Sequence, residues 1–304
     1  MKAAAISTFG PPNVLQVMDF DKPHAGAGQV RVKVKAAGIQ PFDLAVRSSG
    51  WVPPGMEIGY PQILGNEFAG IIDQVGEMVT DFSVGNAVLG WALLASYAEY
   101  VVVNVDQIVH KPKNMSWEEA GALTASGQTA HTALQELGVN KGDTILIHAA
   151  AGGVGTFAVQ LAKAWGATVI GTASKRNHEY LRKLGAIPVT YGDGLANRVR
   201  ALAPDGVDVA FDAAGDDALL ASLELVKNKE RIGTIVAFDL AEELCVRPIR
   251  SKRSVNRLTE LVDLYSQGKL QIHIRKTFPL NQASDAHREI ESGHGRGKVV
   301  LTIG

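Results

Sequence analysis

The densest concentration of chemistry in this 304-residue chain is a glycine-rich turn, Ala150-Ala151-Gly152-Gly153-Val154-Gly155. It matches the spacing of a dinucleotide fingerprint, with alanine in place of the first glycine. Each position has a physical reason. Gly152 lets backbone come within contact distance of a pyrophosphate, where a Cβ would intrude. Gly155 lets a helix pack closely on the preceding strand. The helix that opens there offers unpaired N–H groups and the positive end of its dipole to phosphate oxygens. A second stretch, Thr172-Ala173-Ser174-Lys175-Arg176, ends the next strand. Sites for NAD place an acidic residue there to accept from a ribose hydroxyl. This chain has two cations and no carboxylate, which favours the 2′-phosphate of NADPH. Arg176 also suits a solvated position opening the next helix.

Other reactive side chains are less concentrated. Asp43 and Arg47, four apart, suit either a structural ion pair or substrate contacts, with the structural role favoured for Asp43. His148 precedes the glycine turn and reads as a packing residue. His131 lies on a helix face, where solvation or packing is its expected role. No His, Tyr or Cys constellation marks a dedicated proton donor. Cys245 is the one cysteine, which excludes an intramolecular disulfide and multi-cysteine metal clusters.

These residues need elements to hold them. Val30 to Ile39 alternates apolar and charged residues, as a half-buried strand does. Strand-like runs follow in FAGIIDQV, NAVLGWA and SYAEYVVV, separated by turn residues. Short strands at this spacing predict a barrel or sandwich. At Ser116 the pattern changes: Ser116 with Glu119 forms a capping box opening a helix. Strands are then predicted at Thr144–His148, Thr168–Ala173, Pro188–Tyr191, Val207–Ala213 and Gly233–Phe238. Helices are predicted between and after them at Val154–Trp165, His178–Leu184, Leu195–Leu202, Ala218–Val226 and Val255–Tyr265. Such alternation implies βαβ crossovers and a parallel sheet. From Ile272 the tail holds a short strand, a helix near Gln282–Glu291 and a final strand, KVVLTIG. The predicted class is α/β, with residues 1–115 and 272–304 in a β-barrel domain and 116–271 in a doubly wound parallel-sheet (Rossmann) domain.

Bulk properties set outer bounds. A composition 46% hydrophobic and 20% charged gives no reason to expect disorder. A formal net charge of −1 supplies no broad basic field for nucleic acid or an anionic membrane. No window has the apolar length of a membrane span or signal peptide, so a cytoplasmic protein is expected.

Taken in order, several blocks resemble the medium-chain dehydrogenase/reductase superfamily, and within it the zinc-free quinone oxidoreductases related to zeta-crystallin. They are FGPPNVLQV, GQVRVKVKAAGIQPFDLAVRSSG, ILGNEFAGIIDQVG, LTASGQTAHTAL, HAAAGGVG and GRGKVVL, covering nearly the whole chain. The resemblance implies a GroES-like catalytic domain, a Rossmann cofactor domain, and a substrate and nicotinamide that meet in the cleft between them. Carried over by position, Thr129 is expected near the nicotinamide amide. Gly153 and Val154 are expected at the pyrophosphate. Ser174, Lys175 and Tyr191 are expected around the 2′-phosphate, and Phe238 as a backbone neighbour of the nicotinamide. Gln40, Arg47 and Trp51 fall in the substrate cleft, Gln40 being favoured for a direct hydrogen bond to substrate or ribose. A homodimer is expected.

Departures from the family matter equally. Zinc-dependent relatives have cysteine at the position of Gln40 and histidine at that of Asn66. A neutral amide is a poor Zn²⁺ ligand, so no metal is expected. Trp51 and Val52 stand where many relatives have tyrosine, and the stretch from Phe238 to Val255 is short for the group. The expected activity is zinc-independent hydride transfer from NADPH to a quinone or α,β-unsaturated carbonyl, whose product anion is delocalised and needs little electrophilic help. The alternative is a non-catalytic, crystallin-like NADPH-binding protein.

Overall fold

A computed structural model describes residues 1–53, 55–293 and 295–304. The chain is α/β and forms two compact units: Met1–Ala125 with Ser254–Ser266 and Ile272–Gly304, and Ser126–Arg253 with Gln267–Gln271.

The first unit is built on a seven-stranded, mostly antiparallel sheet. Its central strand, Gln29–Gly38, pairs with Glu67–Val75 and Tyr100–Asn104, and with Lys298–Thr302 from the end of the chain. Alternation along Gln29–Gly38 puts Val30, Val32 and Val34 into an apolar core with Phe68, Ile72, Val88 and Leu301. A smaller sheet joins Gln16–Asp19, Lys2–Ile6 and Gln62–Ile63. Gly38 is required for the packing of this unit: a Cβ there would lie 2.1 Å from Glu67 Oε1 and 2.7 Å from the Gly121 carbonyl.

The second unit carries a six-stranded parallel sheet in the order Ile187–Val189, Thr168–Thr172, Thr144–Ile147, Val209–Asp212, Ile232–Thr234, Arg247–Pro248. That order is the doubly wound Rossmann arrangement, reversing direction at Thr144–Ile147. Its helices include Gly153–Ala164, His178–Lys183, Leu195–Leu202 and Asp216–Leu225, near their predicted bounds.

Local chemistry explains both agreement and departure. At the head of the Trp117–Glu136 helix, Glu119 N–H donates to Ser116 Oγ at 3.2 Å, while Ser116 N–H donates to Glu119 Oε2 at 3.0 Å. The capping box is complete, and Tyr265 O–H donates to the same carboxylate at 3.0 Å.

The expected strand Gly233–Phe238 is corrected. The strand stops at Thr234, and Phe238–Glu243 is a helix. Thr234 Oγ1 accepts from the N–H groups of Val236 and Ala237, at 3.1 and 3.0 Å, turning the backbone out of the ladder. The run SYAEYVVV yields a strand only over Tyr100–Asn104. A helix not anticipated, Pro41–Ser49, has proline at its start and left-handed Gly50 (φ 70°) at its end.

Candidate functional site

The carboxyl edge of the parallel sheet in the second unit carries the glycine turn and the stretch from Ser174 to Arg176. Strand Thr144–Ile147 runs into His148, then into the glycine turn, and the Gly153–Ala164 helix starts with Gly152 as its N-cap. No side chain caps that start, so its first N–H groups remain available to an anion. Gly155 has the packing role its position predicts: a Cβ would lie 2.2 Å from the Ala149 carbonyl oxygen and 2.7 Å from Ala150 Cα.

His148 is buried behind this turn. Its Nε2 lies 3.0 Å from Ser222 Oγ, and that hydroxyl donates to the Ala218 carbonyl at 2.8 Å. Ser222 therefore accepts from His148, which places the ring proton on Nε2. Burial pulls the His148 pKa down to about 4, so the ring is a neutral packing group. His131 is likewise buried, edge-on to Trp165 at 5.2 Å.

Thr172 and Val189 are partners in the parallel ladder, so Ser174 and Tyr191, each two residues further on, leave the edge at the same level. Ser174 is half-buried, whereas Lys175, Arg176 and Tyr191 are exposed. Lys175 has no ion-pair partner among the described residues. On the other side of the turn, Asp212 is buried and accepts from Thr234 Oγ1 and from the N–H groups of Ala214 and Gly215. Burial nonetheless raises its pKa. Phe238 begins the helix after the next strand, and Thr129 is half-buried on the Trp117–Glu136 helix. These features suit a nicotinamide dinucleotide: an open helix start, a turn with no Cβ at Gly152 and Gly153, and no acid in the stretch Ala173 to Arg176.

The first unit contains a buried polar network around the other predicted residues. Asp43 is wholly buried and accepts three hydrogen bonds at 2.8 Å each, from Gln40 N–H, Asn66 Nδ2 and Tyr97 O–H. Desolvation outweighs these donors and pushes its pKa up to about 7. The Tyr97 hydroxyl is raised well above its usual range, by burial first and by the Asp43 charge second. Glu67 is 0% exposed and accepts from Gln40 Nε2, from Ala125 N–H at 2.6 Å and from Lys298 Nζ at 3.2 Å.

Arg47 is the third residue of this region expected in the substrate cleft. It is 1% exposed, ion-paired to Glu291, and donates to the Gly10 carbonyl at 3.0 Å. It does not pair with Asp43, whose hydrogen-bond partners are Gln40, Asn66 and Tyr97. Trp51 is 45% exposed, edge-on to Phe42 at 6.0 Å.

Sequence reading missed Tyr97, Glu291, His287 and Lys298. The available signal for Lys298 was a lysine at the head of the otherwise apolar strand KVVLT. His287 is wholly buried, edge-on to Tyr97 at 6.0 Å, with neither ring nitrogen hydrogen-bonded among the described residues. Burial first, and the Arg47 charge second, lower its pKa to about 3.

Zinc does not fit this network. The residues at the expected ligand positions are the amides Gln40 and Asn66, and the nearby carboxylates Asp43 and Glu67 are already hydrogen-bonded inside the protein. Among the described residues no group of three or more His, Cys, Asp or Glu gathers to hold a metal.

Comparison with known proteins agrees with both halves of the fold. The profile of the alcohol dehydrogenase GroES-like domain matches residues 26–113, and that of zinc-binding dehydrogenases matches residues 184–301. A quinone oxidoreductase of Pseudomonas aeruginosa is 33% identical, covering 99% of each chain. The chain belongs to the zeta-crystallin-like quinone oxidoreductases of the medium-chain dehydrogenase/reductase superfamily. Within that family, a 2-haloacrylate reductase of a Burkholderia species is 30% identical, over 98% of each chain. The crystal structure of Escherichia coli quinone oxidoreductase complexed with NADPH superimposes with a TM-score of 0.87 at 26% identity, covering 99% of this chain and 100% of that one. The protein is an oxidoreductase that uses a nicotinamide cofactor. No helix among the described residues is long and apolar enough to cross a membrane.

Proposed function

We propose that this chain reduces a quinone or another α,β-unsaturated carbonyl compound with NADPH, without a metal. The observation that carries the cofactor choice is the edge beyond Thr172, where exposed Lys175 follows half-buried Ser174 and no acid stands in the NAD position. Ser174, Lys175, Arg176 and Tyr191 are assigned to the 2′-phosphate, Gly152, Gly153 and Val154 to the pyrophosphate, and Thr129 and Phe238 to the nicotinamide. The bound cofactor supplies the hydride.

The substrate class follows from what the first unit offers. A saturated ketone needs strong polarisation at oxygen, and the amides Gln40 and Asn66 give no Lewis acid. A conjugated acceptor delocalises the charge that hydride addition creates. Orientation and exclusion of water are then the main demands on the protein. Trp51, half-exposed and braced by Phe42, is assigned as an apolar platform for a flat acceptor. Gln40 is assigned to a polar contact with substrate or ribose, its amide nitrogen anchored on Glu67. The 2-haloacrylate reductase relative is named for a conjugated acceptor, consistent with this class.

The test is NADPH consumption with a panel of quinones, enones and simple alcohols, the alcohols being run with NADP⁺. Quinones or enones should exceed alcohols by orders of magnitude, and chelators should leave the rate unchanged. A saturated alcohol as best substrate would overturn the mechanism. NADPH binding without turnover of any acceptor would point instead to a nucleotide-binding protein that is not an enzyme.

A further inference from the structure

The carboxyl edge of the parallel sheet carries cations at two separate places. Lys175 and Arg176 follow the Thr168–Thr172 strand, while Arg250 follows Arg247–Pro248, four strands further along the sheet. Neighbouring strands are about 4.8 Å apart, so the two groups leave the edge roughly 19 Å from each other. No single phosphate is reached by both.

Arg250 differs from the cations beside it in sequence. Arg247 ends on Glu230 at 2.6 Å and Lys252 on Glu136 at 2.5 Å. Arg250 is exposed and has no ion-pair or hydrogen-bond partner among the described residues. Its guanidinium instead lies over the Phe238 ring, 4.7 Å from the centroid. A cation–π contact of this kind uses no N–H hydrogen bond of the guanidinium, and paired N–H groups are what grip a carboxylate with two parallel hydrogen bonds. The backbone on both sides is anchored. Ile249 N–H donates to the Thr234 carbonyl at 2.8 Å, and Lys252 N–H donates to Thr132 Oγ1 at 3.2 Å. The guanidinium is therefore held beside Phe238.

We infer that Arg250 is a carboxylate-recognition residue, and that the acceptor is a small unsaturated carboxylic acid whose carboxylate it binds. This rests on the reading above, that Phe238 lies next to the nicotinamide. The geometry fits a carboxylate better than a phosphate, because one planar fork matches one planar anion. The phosphate end of the sheet, in contrast, gathers several donors.

The test uses a carboxylate that cannot be reduced. Propionate and its neutral analogue propionamide are titrated calorimetrically into protein saturated with NADP⁺, in wild type, Arg250→Gln and Arg250→Lys. Wild type should bind propionate at least tenfold more tightly than propionamide, as charge-assisted hydrogen bonds predict. Arg250→Gln should erase that preference, and Arg250→Lys should restore only part of it, having the charge without the fork. The ratio of kcat/KM for acrylate to that for its methyl ester should fall in the same order. Equal binding of propionate and propionamide by wild type would overturn the inference. So would an equal loss of both in Arg250→Gln, which would make Arg250 merely a support for Phe238. Failure of wild type to bind NADP⁺ would instead overturn the cofactor reading itself.

Discussion

Lys298 Nζ sits 3.2 Å from Glu67 Oε1, with 3% of the lysine side chain and none of the glutamate exposed. The pair joins the first strand-rich stretch of the chain to its last strand, inside the hydrogen-bonded network that also holds Gln40.

Removing one member of such a pair strands a buried charge, at a cost of about 3–5 kcal/mol. Lys298→Met should therefore lower stability by about that amount in urea unfolding. Adding Glu67→Gln should recover at least half of the loss, since a neutral pair leaves no uncompensated charge. A single-variant loss below about 1 kcal/mol would show that the pair is not buried in solution.

Asp43 and His287 give opposite pH dependences. The Asp43 carboxyl, raised from 3.8 to about 7, binds its proton more tightly in the folded protein. Its contribution to stability is present at low pH and is lost as pH rises from about 4 to about 7. A shift of that size corresponds to about 4 kcal/mol between the two protonation states. Asp43→Asn should remove this slope, and its stability relative to wild type should improve from pH 4 to pH 8. A parallel pair of stability curves would refute the assignment.

His287 works the other way. Its ring is held neutral down to about pH 3, whereas an unfolded histidine protonates near 6.5. The unfolded state then binds the extra proton, and stability falls as pH drops below about 6.5. His148 adds to the same slope, down to about pH 4. His287→Phe breaks no hydrogen bond and should shift the acid unfolding midpoint to lower pH, as followed by circular dichroism. Between about pH 4 and 6.5 the Asp43 and histidine slopes oppose each other, so single variants reveal what the wild type conceals.

Cofactor preference has its own arithmetic. A hydrogen bond to a charged group is worth ~1.5–3 kcal/mol. Two contacts to the 2′-phosphate give ~3–6 kcal/mol, roughly a hundredfold to ten-thousandfold preference for NADPH. Exposure of Lys175 reduces this, leaving about tenfold as the floor. Lys175→Ala should weaken NADPH and leave NADH nearly untouched, and the wild-type preference should shrink as salt rises. Equal affinity for both cofactors in wild type would remove the phosphate site.

Much of the second unit was legible because its signals are local. The glycine turn and the helix at Leu195–Leu202 each depend on residues within a few positions of one another. Phe238 was misplaced because one threonine hydroxyl, Thr234, redirected a run that reads as strand. The first unit was less legible for the opposite reason. Arg47 pairs with Glu291 rather than with Asp43 four residues before it, and Glu67 pairs with Lys298. No periodicity in a single stretch encodes a partner that far along the chain. His287 carries no sequence signal for burial beyond its place on the apolar face of Ala283–Glu291.

The place of the Lys298–Thr302 strand beside Gln29–Gly38 also imposes an order of events during synthesis. A ribosome has delivered Glu67, Gln40 and the central strand long before it delivers the lysine that neutralises Glu67. The second unit's sheet comes from one unbroken stretch and is complete by Arg247–Pro248. The nascent chain should therefore acquire its parallel-sheet unit first. The GroES-like half then waits with an open sheet edge and an unmatched acid until its last strand arrives.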